Sequence, residues 1–250
     1  MALCPTCQHA LPDPPPALCP NCGAAAAAEP SPPPAVPWDD RGRIGLVAAL
    51  AETTREVLVT PTRFFRAMPT SGGIGSPLLY GLLVGWLGVL VAAFYQALYE
   101  TIAGPDLSPL LGGNPELVAV LGWLRGWAGF AWQALFGGVA VVLGMIVWSG
   151  IVHLVLLLLG RGARGFEATL RVVAFSQAAG LLSLVPFCGV LVAWVWSVVA
   201  QVIGLSEAHR IGRGAAAAAV LLPFVLLCCC CGALFATLFA GAFGLASRLQ

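Results

Sequence analysis

The residues best placed to do chemistry are four cysteines near the N-terminal end: Cys4-x2-Cys7, eleven residues, then Cys19-x2-Cys22. Each Cys-Pro-x-Cys pair suits a tight knuckle that aims two thiolates at one point. Two knuckles complete a tetrahedral Cys4 site of the kind that binds zinc. Gly23 follows the second pair, where the missing Cβ lets the backbone turn under the sulfurs. So short a segment cannot build a core, so metal binding is expected to be its folding free energy. Reduced, coordinated thiolates point to the cytosol. His9 lies in the same stretch, but four cysteines already fill the shell.

Ionisable and amide groups inside apolar stretches are the other candidates, because hydrocarbon penalises them. His153, Arg171 and Gln201 stand out. Arg171 and Gln201 are both fifteen residues from Pro186, the centre of a tight turn, and so reach similar depth near one membrane surface. His153 falls about two turns inside that surface. The three read as an intramembrane polar cluster opening to the cytosol, able to bind an anionic headgroup or relay a proton. The plainer reading is interhelical hydrogen bonding, with Arg171 snorkelling to the interface. Glu167 precedes Arg171 by four, the favourable order for a helical ion pair.

The elements that hold these groups must be membrane helices. Only 9% of the 250 residues are charged and mean hydropathy is +0.91, too little charge to cover a soluble protein of this length. Net charge near +1 gives no case for nucleic acid. Metal ligands and prolines stand where a signal peptide would, so the first span is expected to act as its own insertion signal. Residues 1–23 form the zinc ribbon and 24–37 a Pro/Ala-rich, mostly extended linker. Residues 38–77 read as cytoplasmic juxtamembrane amphipathic helices. Val47, Leu50, Val57, Phe64 and Met68 form their stripe, with a break at Thr60-Pro61 where Thr60 would cap the new helix. Such a segment lies in the membrane interface or packs on the protein itself, and the pattern favours neither.

Residues 78–250 read as a five-span membrane domain, with spans near 78–99, 133–160, 168–184, 187–205 and 215–245. Gly81, Gly85 and Gly88 give the first a small-residue face. Residues 117–132 carry Arg125 and three tryptophans over too short a run, and read as interfacial or re-entrant. Spans three and four form a hairpin about Val185-Pro186. Trp194 and Trp196 lie too deep for an interfacial belt and are expected in the core. Gly232, Ala236, Ala240 and Gly244 form a seam on the last span, suited to a neighbouring helix in this chain or in a homo-oligomer. The run Cys228 to Cys231 falls mid-span, where small apolar packing is the expected role.

Arginine placement tests the count, since all twelve basic residues are arginine. With the N-terminus cytoplasmic and the C-terminus outside, only Arg125 and Arg248 fall outside, as the positive-inside rule expects. The fold class is therefore an all-α integral membrane protein: five transmembrane helices preceded by a small Cys4 zinc ribbon. No nucleotide loop, G-x-S-x-G elbow or H-E-x-x-H occurs, and no acidic pair sits in a span. The expected role is non-enzymatic: a scaffold or adaptor contacting the bilayer and an unidentified cytoplasmic protein partner. The alternative is a lipid- or small-solute-handling bundle using the polar cluster.

Three stretches carry a family resemblance: TPTRFFRAMP before a Gly-rich first span, GFEATLRVVAFSQAAGLLSLVP, and GLSEAHRIGRGAAAAAVLLP. Over Val57 to Ala246 the chain resembles the Yip one (Ypt-interacting protein) domain family of five-span membrane proteins. The N-terminal zinc ribbon is similar to the arrangement in bacterial members, which implies a bacterial inner membrane. Eukaryotic relatives are implicated in vesicle trafficking and bind prenylated small GTPases through their cytoplasmic N-terminal region. That role is not carried over, because this N-terminal region is a ribbon and a proline linker.

Overall fold

The computed structural model describes residues 2–4, 6–12, 18–23, 36–104, 109, 114–162, 164–186, 188–226 and 228–229. The chain divides into two compact units, residues 1–35 and 36–250. The first is a small hairpin in which β1 (Ala2–Leu3) pairs antiparallel with β2 (Ala10–Leu11), Ala2 opposite Leu11. Among the described residues, Leu11, Cys4 and Cys19 are buried. Three side chains make only a small core by themselves.

The second unit is helical. A 3-10 turn at Pro37–Asp40 leads into α1 (Arg41–Ile44), α2 (Leu46–Val59) and α3 (Pro61–Ala67). Then come α4 (Gly75–Ala103), α5 (Pro115–Arg125) and α6 (Trp127–Leu158). The hairpin follows as α7 (Gly165–Ser176), a 3-10 segment (Gln177–Leu184) and α8 (Gly189–His209), and α9 runs Arg213–Leu226. By length and composition α4, α6 and α8 can each cross a bilayer, and α9 is a shorter apolar helix. The protein is an all-α membrane protein.

The juxtamembrane segment packs on the spans. Val57, Phe64, Phe65 and Met68 are buried in the main core, whereas Val47 is 79% exposed. Phe64 meets Phe175 at 5.2 Å between ring centroids, Phe175 meets Tyr80 at 5.1 Å, and Tyr80 meets Trp38 at 5.5 Å. This aromatic chain ties the 3-10 turn and α3 to α4 and α7. Trp38 Nε1 donates to the Ser76 carbonyl at 2.7 Å, and Thr54 and Tyr80 share a buried hydroxyl bond of 2.8 Å. Arg66 grips Glu207 of α8 through two nitrogens, at 3.1 and 3.2 Å. The chain breaks at Thr60 and restarts at Pro61. Thr60, however, makes no side-chain cap to α3; its hydroxyl donates back to the Glu56 carbonyl at 3.3 Å, closing α2 instead.

Helices approach closely at the glycine face of α4. A Cβ on Gly81 would lie 2.5 Å from Met145 Sδ and 3.0 Å from the Ala174 carbonyl oxygen, and one on Gly88 3.0 Å from Gly180 carbonyl atoms. The hairpin's first arm changes from α to 3-10 geometry along this seam. Eight residues is long for a 3-10 run. Its larger rise gives the arm, Gly165 to Leu184, about 34 Å of length.

Two expectations are corrected, and a third falls outside the described residues. α6 starts at Trp127, so residues 127–132 continue the second apolar helix; only Pro115–Arg125 stands apart, capped by the Asn114 side chain accepting from the Glu116 and Leu117 amides. Gly126 makes the break, with extended backbone no helix can contain. Trp194 is 52% exposed, held against Phe224 of α9 at 6.0 Å, because its helix face points away from the bundle. The seam Gly232 to Gly244 lies outside the described residues, as do Cys230 and Cys231; Cys228 and Cys229 are helical.

Candidate metal centre and buried polar networks

The four cysteines converge. Their Sγ atoms all lie within 4.8 Å of one another, a group that can hold a metal ion. Cys4 to Cys22 and Cys7 to Cys19 are each 3.7 Å apart. Sulfurs at about 2.3 Å from a tetrahedral zinc would be about 3.8 Å apart, so these two edges are already at coordination length. Both exceed a disulfide bond of about 2.05 Å by a wide margin. His9 is not part of the group.

The loop geometry explains the convergence. Cys4 N–H bonds the His9 carbonyl and Gln8 N–H the Cys4 carbonyl, both at 2.9 Å. Gln8 turns through the left-handed region at φ 55°. After the second knuckle Gly23 N–H bonds the Cys19 carbonyl at 2.9 Å, with Gly23 itself at φ +69°. Backbone amides are left facing sulfur. The His9 amide, then the Asn21 side chain at 3.7 Å, hold the Cys7 thiol down at about 6 against an ordinary 9.0. Cys4 is lowered by the amides of Cys7 and Thr6. Thiolate is the ligand form, so the donor set suits a thiophilic metal.

The sign of the pH dependence follows. A thiol lowered in the folded ribbon contributes stability that is present above 9.0, its unfolded value, and is lost as pH falls through about 6. Bound metal lowers that point further. Metal release, followed with a chromogenic chelator, should have its midpoint below pH 6; a midpoint above neutrality would contradict the geometry.

In the helical unit, His153, Arg171 and Gln201 fall into three separate networks, and no hydrogen bond joins them to one another. His153 Nδ1 lies 3.0 Å from the Thr169 hydroxyl, which lies 3.0 Å from His209 Nε2. α6, α7 and α8 thus meet on one fully buried hydroxyl. A hydroxyl carries one proton, so the two imidazoles must have complementary tautomers unless both donate to it. Arg171 Nε bonds Glu167 Oε1 at 3.2 Å, the i,i+4 pair read from the sequence, and Nη2 donates to the Gly73 carbonyl at 2.9 Å. Gly73 N–H returns to Glu167 at 2.7 Å, which pins the loop before α4 onto α7. Gln201 accepts from Trp148 Nε1 at 2.7 Å and donates to Ser197 at 3.1 Å.

Depth counting picked out buried Arg171 and Gln201 and half-buried His153 but not their partners, because it says nothing about rotation about each helix axis. Thr169 and His209 were missed. The usable signal was a histidine closing an apolar helix together with a threonine one turn inside the facing arm. Thr169→Val leaves two ring nitrogens without a partner and should cost about 1–3 kcal/mol. Thermal unfolding of detergent-purified protein should show a lowered midpoint for Val and a near-native one for Thr169→Ser.

Residues 55–235 match the family model of the Yip1 domain. No match was found among curated proteins or among solved structures. The matched span runs from α2 through α9 and includes the glycine seam, the Arg171 clamp and the Thr169 junction. It covers well over half of the 250 residues, and on that ground the chain is a membrane protein belonging to the Yip1 domain family.

Proposed function

We propose that this Yip1-domain chain is a non-enzymatic membrane scaffold or adaptor, whose cytoplasmic ribbon, folded on a structural zinc ion, recruits a protein partner to the bilayer. The observation that carries the reading is a four-sulfur unit, residues 1–35, separate from the helical unit, residues 36–250. A site whose four positions are all filled by protein is of the structural kind, since catalytic zinc keeps one open. The proposed membrane is a bacterial inner membrane. Deleting residues 1–36 should leave membrane insertion intact and abolish partner capture in cross-linking pull-downs; an unchanged set of captured proteins overturns the reading.

The proposed topology is five spans, N-terminus inside. α4, α6 and α8 supply three, and the arm Gly165–Leu184, at about 34 Å, is long enough for a fourth. α9 begins the fifth, most of which lies outside the described residues. Arg125, one of the two arginines this leaves outside, pairs with Glu100 and so carries no bare charge across. Cysteine accessibility should find position 186 outside and position 209 inside; both on one side contradicts five spans.

One observation favours the second reading, lipid or small-solute handling. Arg171 is 3% exposed, yet its Nη1 has no hydrogen-bond partner among the described residues. Under that reading Arg171→Ala reduces lipid or solute binding at unchanged expression, and unchanged binding removes it.

A further inference from the structure

α2 carries two apolar stripes. Ala49, Thr53 and Val57 are buried in the core. The neighbouring stripe, Val47, Leu50 and Leu58, walls an open groove of about 550 Å³ whose other side is Leu83 and Leu87 of α4 with Leu181 of the 3-10 segment; Leu50 and Leu58 also pack against the core edge. That volume is within the range of about 300–1,000 Å³ found for ligand sites.

Depth and charge identify the occupant. The α4 wall of the groove runs from Leu83 to Leu87, about 12 to 18 Å along the helix from Gly75, so this side of the groove lies in the hydrocarbon. At that depth the available filler is an acyl chain. Two polar residues line the groove, and Thr54 has its hydroxyl bonded to Tyr80 at 2.8 Å. Arg55 remains, exposed, with no hydrogen bond or ion pair to any described residue. Glu52 and Glu56 flank it on the same turn, and their carboxylates are equally unpaired among the described residues.

We infer that this groove is a phospholipid site: one acyl chain lies beneath α2, the phosphate meets Arg55, and a primary ammonium meets Glu52 or Glu56. One cation between two carboxylates complements a zwitterion and repels a headgroup of net negative charge. A primary ammonium can donate hydrogen bonds to the carboxylates, which a quaternary one cannot. The class selected is phosphatidylethanolamine over phosphatidylcholine and phosphatidylglycerol. The site is separate from Arg171, and neither the adaptor reading nor the lipid-handling reading is needed for it.

The test is native mass spectrometry of the full chain released from nanodiscs of each of these three lipids. Wild type should retain one lipid, phosphatidylethanolamine most strongly. Arg55→Ala should weaken retention by about tenfold or more, as expected for loss of a charge-assisted bond. Ala51→Trp, which fills the groove, should abolish retention while the thermal midpoint stays near wild type. Should Ala51→Trp fail to fold, a photo-reactive residue at the exposed groove-lining Val47 provides the independent readout: cross-links to lipid support the site, and their absence overturns it. Preference for phosphatidylglycerol, or equal retention by Arg55→Ala, overturns the headgroup assignment. Equal retention by folded Ala51→Trp overturns the site.

Discussion

Chelating the metal from the purified protein, or replacing Cys19 with serine, should unfold residues 1–23 entirely while leaving the helical unit folded. Among the described residues, the ribbon buries only Leu11, Cys4 and Cys19, so their apolar burial contributes little. Metal affinity for such four-ligand sites is on the order of 10–16 kcal/mol, and under the proposed zinc reading that affinity supplies the ribbon's folding free energy. Cys19 is 2% exposed and forms one of the two 3.7 Å sulfur edges, so serine removes both a ligand and the packing under it. Amide exchange should show protection in residues 2–12 and 18–23 lost on chelation and regained with zinc. Protection in α4 through α8 should not change, because the two units are separate contact bodies. Retained protection without metal would contradict this account.

Gly88→Val should strongly destabilise the helical unit. Its Cβ would stand 3.0 Å from the carbonyl carbon and oxygen of Gly180, and backbone cannot swing aside as a side chain can. Ser183, whose hydroxyl reaches the Gly180 carbonyl at 2.6 Å, would be displaced with it. Overpacking costs about 1–3 kcal/mol where side chains can yield, and this site should exceed about 3. Gly144→Val is the control, since a Cβ there meets nothing within 4 Å. Thermal unfolding in detergent should separate the two clearly; equal midpoints would mean that the seam is not the tight contact described.

What was legible in the sequence is what local spacing controls. The Cys4 pattern specifies two knuckles by chemistry alone, and Glu167 to Arg171 is a one-turn interval whichever way the helix faces. Gly81, Gly85 and Gly88 repeat at helical spacing, so a close face on α4 could be read. Which helix fills that face could not. The 3-10 stretch Gln177–Leu184 has no local signature either: its Ala, Gly and Leu content fits an ordinary helix, and in the fold it lies with Gly180 against Gly88. The Thr169 junction depends on the rotation of α6, α7 and α8 about their axes, which depth counting omits. α2 was ambiguous for a related reason. Its two apolar stripes have different fates, one buried in the core and one along an open groove, and a single hydrophobic period cannot separate them.

The measurement that tests the central claim most directly is in-cell cross-linking with mass spectrometry, comparing the wild-type chain with Cys19→Ser at matched membrane abundance. The account predicts that protein partners cross-linked to residues 1–35 disappear in the variant, while cross-links within residues 36–250 persist. An identical partner set on an unfolded ribbon would contradict it.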